Sequence, residues 1–336
     1  SPDNPNRVYS LWTVLTMTED GGKSWETIAP YNSVHPDHHA FWVGTDPNYL
    51  IEGNDGGLNI SRDGGQTWRF VENLPVAQFY HIRVDNDMPY NVYGGMQDNG
   101  SWVGPGYVWH AGGIRNSDWR ELFFGDGFDV VPDPENNRYI YAQAQEGFVV
   151  RVDKETGYAR SVKPVHPDGV TLRYNWNAAI AQDPFDAGTI YFGSQFVHKS
   201  TNRGADWEVI SPDLTTNDTA HQKALTSGGL TFDVTGAENY TTIISISPST
   251  TEKDVLWVGT DDGNVQLSRD GGKSWKNVSG AMKGLPAGAW IAQVNACEHG
   301  NGEAFVVAND YRRNNWKPYL YYTKDYGKTF TSLVPE

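Results

Sequence analysis

The stretch Ser268-Arg269-Asp270-Gly271-Gly272-Lys273-Ser274-Trp275 recurs along the chain and decides the fold. Close copies occupy residues 18–25 and 61–68, and looser copies occupy residues 200–207 and 323–330. The shared pattern is Ser or Thr, any residue, Asp, any residue, Gly, any residue, Ser or Thr, and an aromatic residue. A short carboxylate accepts hydrogen bonds from the turn's own N–H groups, and glycine supplies a positive φ. This repeated turn predicts a tight connection between two strands, with the aromatic residue packing back into the sheet.

The spacing of the repeated turn indicates the architecture. Its third position falls at residues 20, 63, 202, 270 and 325, and the long interval from 63 to 202 fits three diverged units. A second phrase, Asp or Ser followed by Pro and then a strand, occurs at residues 1–9, 133–141 and 183–191. Repeats of about 40–50 residues that hold four short strands are typical of β-propellers.

The two phrases together predict an all-β fold, a seven-bladed β-propeller with four-stranded antiparallel blades, as a single domain over residues 1–336. The predicted blades cover about residues 1–30, 35–75, 79–122, 124–164, 175–214, 241–280 and 290–333. The first blade lacks its inner strand in this prediction. Because an unpaired sheet edge promotes aggregation, we expect that strand to come from the remainder of a longer multi-propeller chain or from another subunit.

The composition excludes several classes of function. The net charge is −15, which repels phosphate backbones and disfavours nucleic-acid binding. The single cysteine, Cys297, forms no internal disulfide, and no apolar run is long enough for membrane insertion. The aromatic content is high, with 13 Trp, 18 Tyr and 13 Phe, so stacking surfaces are available to a ligand.

Chain direction in a four-stranded blade predicts where a site lies. The Asp-Pro turns and the repeated turns fall on one face, and the opposite face holds the loop before each first strand and the turn between the second and third strands. Loops of the first kind supply His35, His38, Tyr80, Trp176 and Trp290, and turns of the second kind supply Asp55, Gln97, Asp98, Asp262, Asp310 and Arg313. Amides, carboxylates and aromatic rings that converge in this way suit a sugar or an extended peptide. The alternative is structural, since the same residues make Asx turns that satisfy loop backbone.

Chemistry at this face is expected to need no cofactor. The cluster His35, Asp37, His38 and His39 fits no standard zinc spacing, so we expect no metal. Glycoside hydrolysis requires two carboxylates roughly 5–10 Å apart. Asp126 and Asp129, in the loop before the fourth predicted blade, are the candidate catalytic pair.

The repeated turn is similar to the Asp-box, or bacterial neuraminidase repeat, and the chain resembles the sortilin-type, glycosyl-hydrolase-like propellers of that family. The resemblance rests on the repeated turns and on residues 35–39, 53–57, 95–100 and 259–263. It implies a secreted or cell-envelope protein, since members include sialidases, two-propeller xyloglucan hydrolases and peptide-binding receptors. The sialidase pattern is absent, because no Phe/Tyr-Arg-Ile-Pro opening and no clear arginine triad occur.

Three functions stay open at this point. The first is a glycoside-hydrolase-like protein that binds a carbohydrate at the face opposite the repeated turns, with or without hydrolysis. The second is a non-catalytic, sortilin-like module that binds an extended peptide or a protein. The third is a structural propeller in a larger assembly.

Overall fold

The chain is built almost entirely of antiparallel sheet. The computed structural model describes residues 1–74, 76–222 and 239–334. Their strands form seven sheets, six with four strands and one with three, and neighbours in sequence pair within each sheet. No helix in these three ranges is long and apolar enough to cross a lipid bilayer.

The residues group into two compact units. Unit 1 comprises Ser1–Gln78, Met96–Asn99 and Val108–Trp119, and it contains sheets 1 and 2. Unit 2 comprises Phe79–Gly95, Gly100–Tyr107 and Arg120–Glu336, and it contains sheets 3 to 7.

The strands of sheets 1 to 3 are as follows. Sheet 1 consists of β1 (Val8–Leu11), β2 (Leu15–Thr18) and β3 (Glu26–Ala29). Sheet 2 consists of β4 (His38–Val43), β5 (Leu50–Asn54), β6 (Gly57–Ser61) and β7 (Arg69–Phe70). Sheet 3 consists of β8 (His81–Val84), β9 (Asn91–Met96), β10 (Gly100–Pro105) and β11 (Arg120–Phe123).

Sheets 4 to 7 follow the same order. Sheet 4 consists of β12 (Val130–Pro132), β13 (Tyr139–Ala144), β14 (Phe148–Asp153) and β15 (Ala159–Ser161). Sheet 5 consists of β16 (Ile180–Gln182), β17 (Ile190–Gly193), β18 (Val197–Ser200) and β19 (Glu208–Val209). Sheet 6 consists of β20 (Ile243–Pro248), β21 (Leu256–Thr260), β22 (Val265–Ser268) and β23 (Lys276–Asn277). Sheet 7 consists of β24 (Trp290–Ala296), β25 (Ala304–Asp310), β26 (Asn315–Thr323) and β27 (Thr331–Ser332).

Short 3₁₀ turns complete the regular structure of the described residues. They cover Asn116–Asp118, Gln145–Gly147, Thr219–His221, Ser279–Ala281 and Tyr311–Arg313.

The apolar core lies between facing sheets. In unit 2, Tyr141 of sheet 4 packs in one cluster with Phe192 of sheet 5, and Trp257 of sheet 6 packs in another with Val306 of sheet 7. The second strands β17 and β21 are buried on both faces and consist of continuous apolar or small residues, because a sheet covers each side of them. The last strands, such as β15, are exposed. Burial therefore rises from the last strand of a sheet towards its middle.

The repeated turn folds through its own side chains. In the copy at residues 268–275, Ser274 donates from its backbone N to Asp270 Oδ1 at 2.9 Å and from Oγ to Asp270 Oδ2 at 2.6 Å. Ser268 Oγ donates to Asp270 and accepts from the backbone N of Gly272. The φ angles of Gly271 and Gly272 are +70° and +96°, as the sequence predicted for glycine here. These hydrogen bonds favour the ionised carboxylate and lower the pKa of Asp270.

The aromatic residue of the repeated turn reaches a neighbouring sheet, which refines the expectation that it packs in its own. The indole N–H of Trp275 donates to the backbone O of Ile210, just after the last strand of sheet 5, at 2.9 Å. Trp207 bonds the backbone O of Val162 at the end of sheet 4 in the same way, at 2.8 Å. The repeated turn therefore joins each of these sheets to the preceding one.

Candidate ligand-binding site

In unit 2 the loops before the first strands meet the turns between the second and third strands, and we call this the loop end of the sheets. Thr242, just before β20, donates from its backbone N to Asp261, just after β21, at 2.8 Å. Asn175, before sheet 5, donates its amide to Thr242 Oγ1 and to Asp261. Loops of neighbouring sheets are therefore held together by buried hydrogen bonds at this end.

Two carboxyl groups lie side by side in this network. Asp261 is 1 % exposed, and its burial, together with the charge of Asp262, raises its pKa to about 8. Asp262 is also buried, and it accepts hydrogen bonds from the backbone N and Oγ1 of Thr216 and from Thr260 Oγ1. The predicted ligand residue Asp262 thus fixes a loop of its own unit, and Asp261 is a titratable group in the same turn that was not among the predicted site residues.

An aromatic row crosses the loop end of sheets 3, 4 and 5. The rings of Tyr80 and Phe128 lie 4.9 Å apart, and those of Phe128 and Trp176 lie 6.3 Å apart in a T-shaped arrangement. The side chains of His81 and Asn177 hydrogen bond beside it at 3.0 Å. The structure therefore brings the predicted residues Tyr80 and Trp176 together through a buried Phe128.

The candidate catalytic pair occupies two different environments. Asp129 is buried, and its two carboxylate oxygens accept from Arg83 Nε at 3.0 Å and Nη2 at 2.6 Å. Asp126 is half-buried, and its backbone N donates to Gln145 Oε1 at 3.1 Å. The contacts of Asp129 are those of a structural ion pair, and the catalytic role of the pair stays a prediction.

An exposed aromatic surface of the loop end belongs to sheet 7, and we call it the platform: Trp290, Tyr311, Arg312 and Trp316. The Tyr311 and Trp316 rings stack with centroids 6.0 Å apart and planes 25° apart, and their exposed fractions are 44 % and 75 %. The Arg312 guanidinium carbon lies 3.9 Å from the Trp290 ring centre and 4.6 Å from that of Tyr311. The Tyr311 and Trp316 rings are therefore exposed to solvent, and the Arg312 guanidinium lies over the rings of Trp290 and Tyr311.

Local backbone geometry builds the platform. The 3₁₀ turn Tyr311–Arg313 ends at Asn314, whose φ of +58° is left-handed, a region in which asparagine is enriched. Asn314 then accepts the indole N–H of Trp316 at 3.0 Å, which fixes that ring. The predicted residue Asp310 bonds Arg313 Nε at 2.6 Å and Asn315 Nδ2 at 2.9 Å. Asp310 and Arg313 therefore hold the base of the turn.

Unit 1 gathers a second set of the predicted residues. Carboxylate oxygens of Asp37, Asp55 and Asp98 lie within 4.8 Å of one another. His35 Nε2 lies 3.0 Å from the backbone O of Asp98, and His39 Nε2 lies 2.7 Å from Asp55 Oδ1. Hard cations such as Ca²⁺ take six to eight oxygen ligands, so three carboxylates alone do not make a metal site. The sequence did not predict that these three carboxylates lie close together.

Two other predicted residues of unit 1 differ in accessibility. His38 is buried and its Nδ1 pairs with the buried carboxylate of Glu52, so it has the contacts of a core histidine, and its ligand role stays a prediction. Gln97 is exposed and accepts from Asn99 Nδ2 through its backbone O at 3.0 Å.

Three platform residues were not among the predicted site residues. Tyr311 and Arg312 lie in the turn that supplied Asp310 and Arg313, and Trp316 is the second residue of the next strand. A tryptophan and a tyrosine that flank an Asn-Asn turn are a usable signal, because two exposed rings in one hairpin have no core to fill.

Comparison with known proteins informs the fold. No protein-family model and no curated protein matches the chain. Among solved structures, Sqt1 of Chaetomium thermophilum aligns over 94 % of this chain and 75 % of its own, with 11 % identity and a TM-score of 0.50. A structure of YCF48 bound to D1 peptide aligns over 90 % and 87 %, with 13 % identity and a TM-score of 0.41. The GH74 enzyme of Niastella koreensis aligns over 99 % of this chain and 64 % of its own, with 14 % identity and a TM-score of 0.30.

At these identities the likeness concerns the fold alone. The alignment with Sqt1 and the seven antiparallel sheets confirm the predicted fold class: the chain is an all-β, seven-bladed propeller.

Proposed function

We propose that this chain is an Asp-box propeller of the sortilin-type, glycosyl-hydrolase-like group that binds a carbohydrate on its platform, in a secreted or cell-envelope setting. The observation that carries the proposal is the stacked pair Tyr311 and Trp316, whose rings are exposed and nearly parallel. Aromatic faces bind the C–H faces of sugar rings, and a pair fixed in advance loses little entropy when a ligand binds.

Polar groups around the rings suit hydroxyl recognition. Asn314 and Asn315 immediately precede Trp316, and the Asp310 carboxylate lies at the base of the turn. Side-chain amides offer both donors and acceptors, which is what a sugar's vicinal hydroxyls require. The hydrogen bonds within the turn hold these groups before any ligand arrives.

Binding without hydrolysis is the form of the function that the contacts favour. A glycosidase needs one carboxyl group to give a proton and another to act as base or nucleophile. Both oxygens of Asp129 are engaged by Arg83, so neither is directed at a substrate. We therefore propose a binding module, with the sugar held at sheet 7.

A binding screen with one variant and one matched control tests the proposal. Immobilised protein is probed with plant and bacterial oligosaccharides and, in parallel, with an extended-peptide library. Trp316→Ala is expected to lower glycan affinity about ten-fold, because a stacking face is lost. Trp12→Ala is the control. Trp12 is 78 % exposed and lies in the turn between β1 and β2 of sheet 1, far in sequence from the platform.

The outcomes separate the alternatives. Glycan binding that Trp316→Ala weakens and Trp12→Ala leaves unchanged supports the proposal. Peptide binding with the same dependence, and no glycan binding, would replace it with the sortilin-like alternative. Equal binding by both variants would remove the platform from the function.

A further inference from the structure

The platform holds an arginine, Arg312, that has no carboxylate partner among the described residues. Across the described residues, Arg312 has no carboxylate within 4.0 Å and takes part in no hydrogen bond. Its neighbour Arg313 is engaged by Asp310 Oδ1 at 2.6 Å and by the backbone O of Ala287 at 2.9 Å. Two consecutive arginines in one turn are therefore used differently.

Comparison with the other stacked arginines shows that this is unusual within unit 2, whereas Arg62 of unit 1, over Tyr49, likewise has no carboxylate partner among the described residues. Arg138, Arg151 and Arg269 also lie over tyrosine rings. Each of these three pairs with a carboxylate: Arg138 with Asp153, Arg151 with Asp133, and Arg269 with Glu252. Of the stacked arginines in the described part of unit 2, Arg312 alone lacks such a partner.

Stacking leaves the recognition edge of Arg312 available. The five N–H donors of a guanidinium lie in its plane, and those of Arg312 make no hydrogen bond among the described residues while its guanidinium carbon lies over the rings of Trp290 and Tyr311. Because the side chain is held in place by the rings, little rotamer entropy remains to be lost on binding. The result is a fixed, planar donor fork beside the Tyr311–Trp316 stack.

We infer that the platform selects sugars that carry a carboxylate, such as uronic acids, over neutral sugars. This inference rests on the proposed function. The sugar ring lies on Trp316 and Tyr311, and its carboxylate accepts two parallel hydrogen bonds from the Arg312 fork. Arginine and carboxylate match in planar, bidentate geometry, and charge-assisted bonds are about twice as strong as neutral ones.

The test uses pairs of probes that differ only in charge. Oligomers of galacturonate, glucuronate and mannuronate are compared with their methyl esters, which keep the sugar ring and remove the charge. Sulfated neutral oligosaccharides form a third arm, because they carry anions without a planar carboxylate. Affinities are measured by calorimetry or by ligand-observed NMR on the whole chain.

Two arginine variants and one control complete the experiment. Arg312→Gln is expected to lower affinity for the acid about ten-fold and affinity for the ester by much less, because only the acid loses a charge-assisted, bidentate contact. Arg312→Lys keeps the charge without the planar donor fork, so its affinity for the acid should lie between those of the unmodified chain and of Arg312→Gln. Arg160→Gln makes the same charge change at an exposed arginine of sheet 4 and should bind like the unmodified chain.

Each outcome decides the matter. Preference for the acid over the ester, lost in Arg312→Gln, establishes the inference. Equal binding of acid and ester that still depends on Trp316 overturns it while the proposed function stands. Preference for sulfated sugars overturns the carboxylate assignment, and absence of any glycan binding overturns the proposed function together with this inference.

Discussion

At the scale of single residues, Asp261 is a carboxyl group that the fold keeps protonated. Its pKa rises to about 8 from an ordinary value of 3.8, because burial and the neighbouring Asp262 both disfavour a second negative charge. Thr242 and Asn175 hydrogen bond it and oppose the rise without cancelling it. The neutral group holds two loops of unit 2 together.

Asp261→Asn is expected to make the stability of the folded protein less sensitive to rising pH. The folded pKa lies above the unfolded one, so the folded state binds more protons and stability falls as the pH rises from about 4 to about 8. The loss is at most about 1.4 kcal/mol for each pH unit crossed. Asparagine mimics the protonated carboxyl group and removes this dependence. Urea unfolding at pH 5, 6, 7 and 8 measures the free energy of unfolding of both proteins. The value for the variant should rise relative to that of the parent as the pH rises.

A second aspartate serves as the control for that experiment. Asp270 has a lowered pKa because Ser274 and Ser268 bond its ionised form, so its contribution is lost as the pH falls. Asp270→Asn should therefore leave the dependence between pH 5 and 8 unchanged. Parallel curves for the parent and Asp261→Asn would show that Asp261 does not carry the dependence.

At the scale of elements, the repeated turn determines how a sheet packs on its predecessor. In the copy at residues 268–275 the chain passes so close to sheet 5 that a Cβ on Gly272 would lie 2.8 Å from the backbone O of Ile210. Gly272 also has a φ of +96°, which side chains rarely adopt. The close contact and the positive φ therefore both disfavour a Cβ atom at position 272.

Gly272→Ala is expected to destabilise the protein by about 2 kcal/mol or more, from the left-handed backbone and the contact with Ile210. Gly280→Ala is the matched control, since Gly280 lies in the 3₁₀ turn Ser279–Ala281 just after the last strand of sheet 6 and a Cβ there would meet nothing within 4 Å. Its effect should stay within about 0.5 kcal/mol. Thermal unfolding of the two variants provides the comparison, and equal midpoints would contradict the role given to this turn.

The elements also show what a sequence can and cannot predict. The fold class followed from the repeated turn because its Asp, Gly and Trp each have a local role that spacing alone reveals. Site residues such as Asp129 and His38 were selected for their type and loop position, and in the structure they bond Arg83 and Glu52. Those partners lie 46 and 14 residues away, and only the folded backbone brings them together. Trp316 was missed because its value comes from stacking on Tyr311 across a left-handed Asn314, which no periodicity records.

At the scale of the whole molecule, net charge and local charge act in opposite directions on an acidic ligand. The chain carries a net charge of −15, so a carboxylate-bearing sugar is repelled at long range. At the platform it meets Arg312, whose charge has no carboxylate partner among the described residues. Distance separates the two effects, since the contact spans about 3 Å, whereas charges beyond the screening length of about 8 Å are largely screened in physiological salt.

Salt should therefore change the affinity for an acidic sugar only slightly, unlike an association that is driven by many long-range charges. Raising NaCl from 10 to 150 mM screens the long-range repulsion and leaves most of the short arginine–carboxylate contact, so affinity should rise or fall by less than about two-fold. Calorimetric titrations of a uronic acid oligomer at 10, 50 and 150 mM NaCl measure this, with its methyl ester as the reference for ring stacking alone. A loss of ten-fold or more over that range would mean that diffuse attraction to many basic groups drives binding. The recognition argued from Arg312 and Trp316 would then be wrong, because one stacked arginine and two rings do not produce such a dependence.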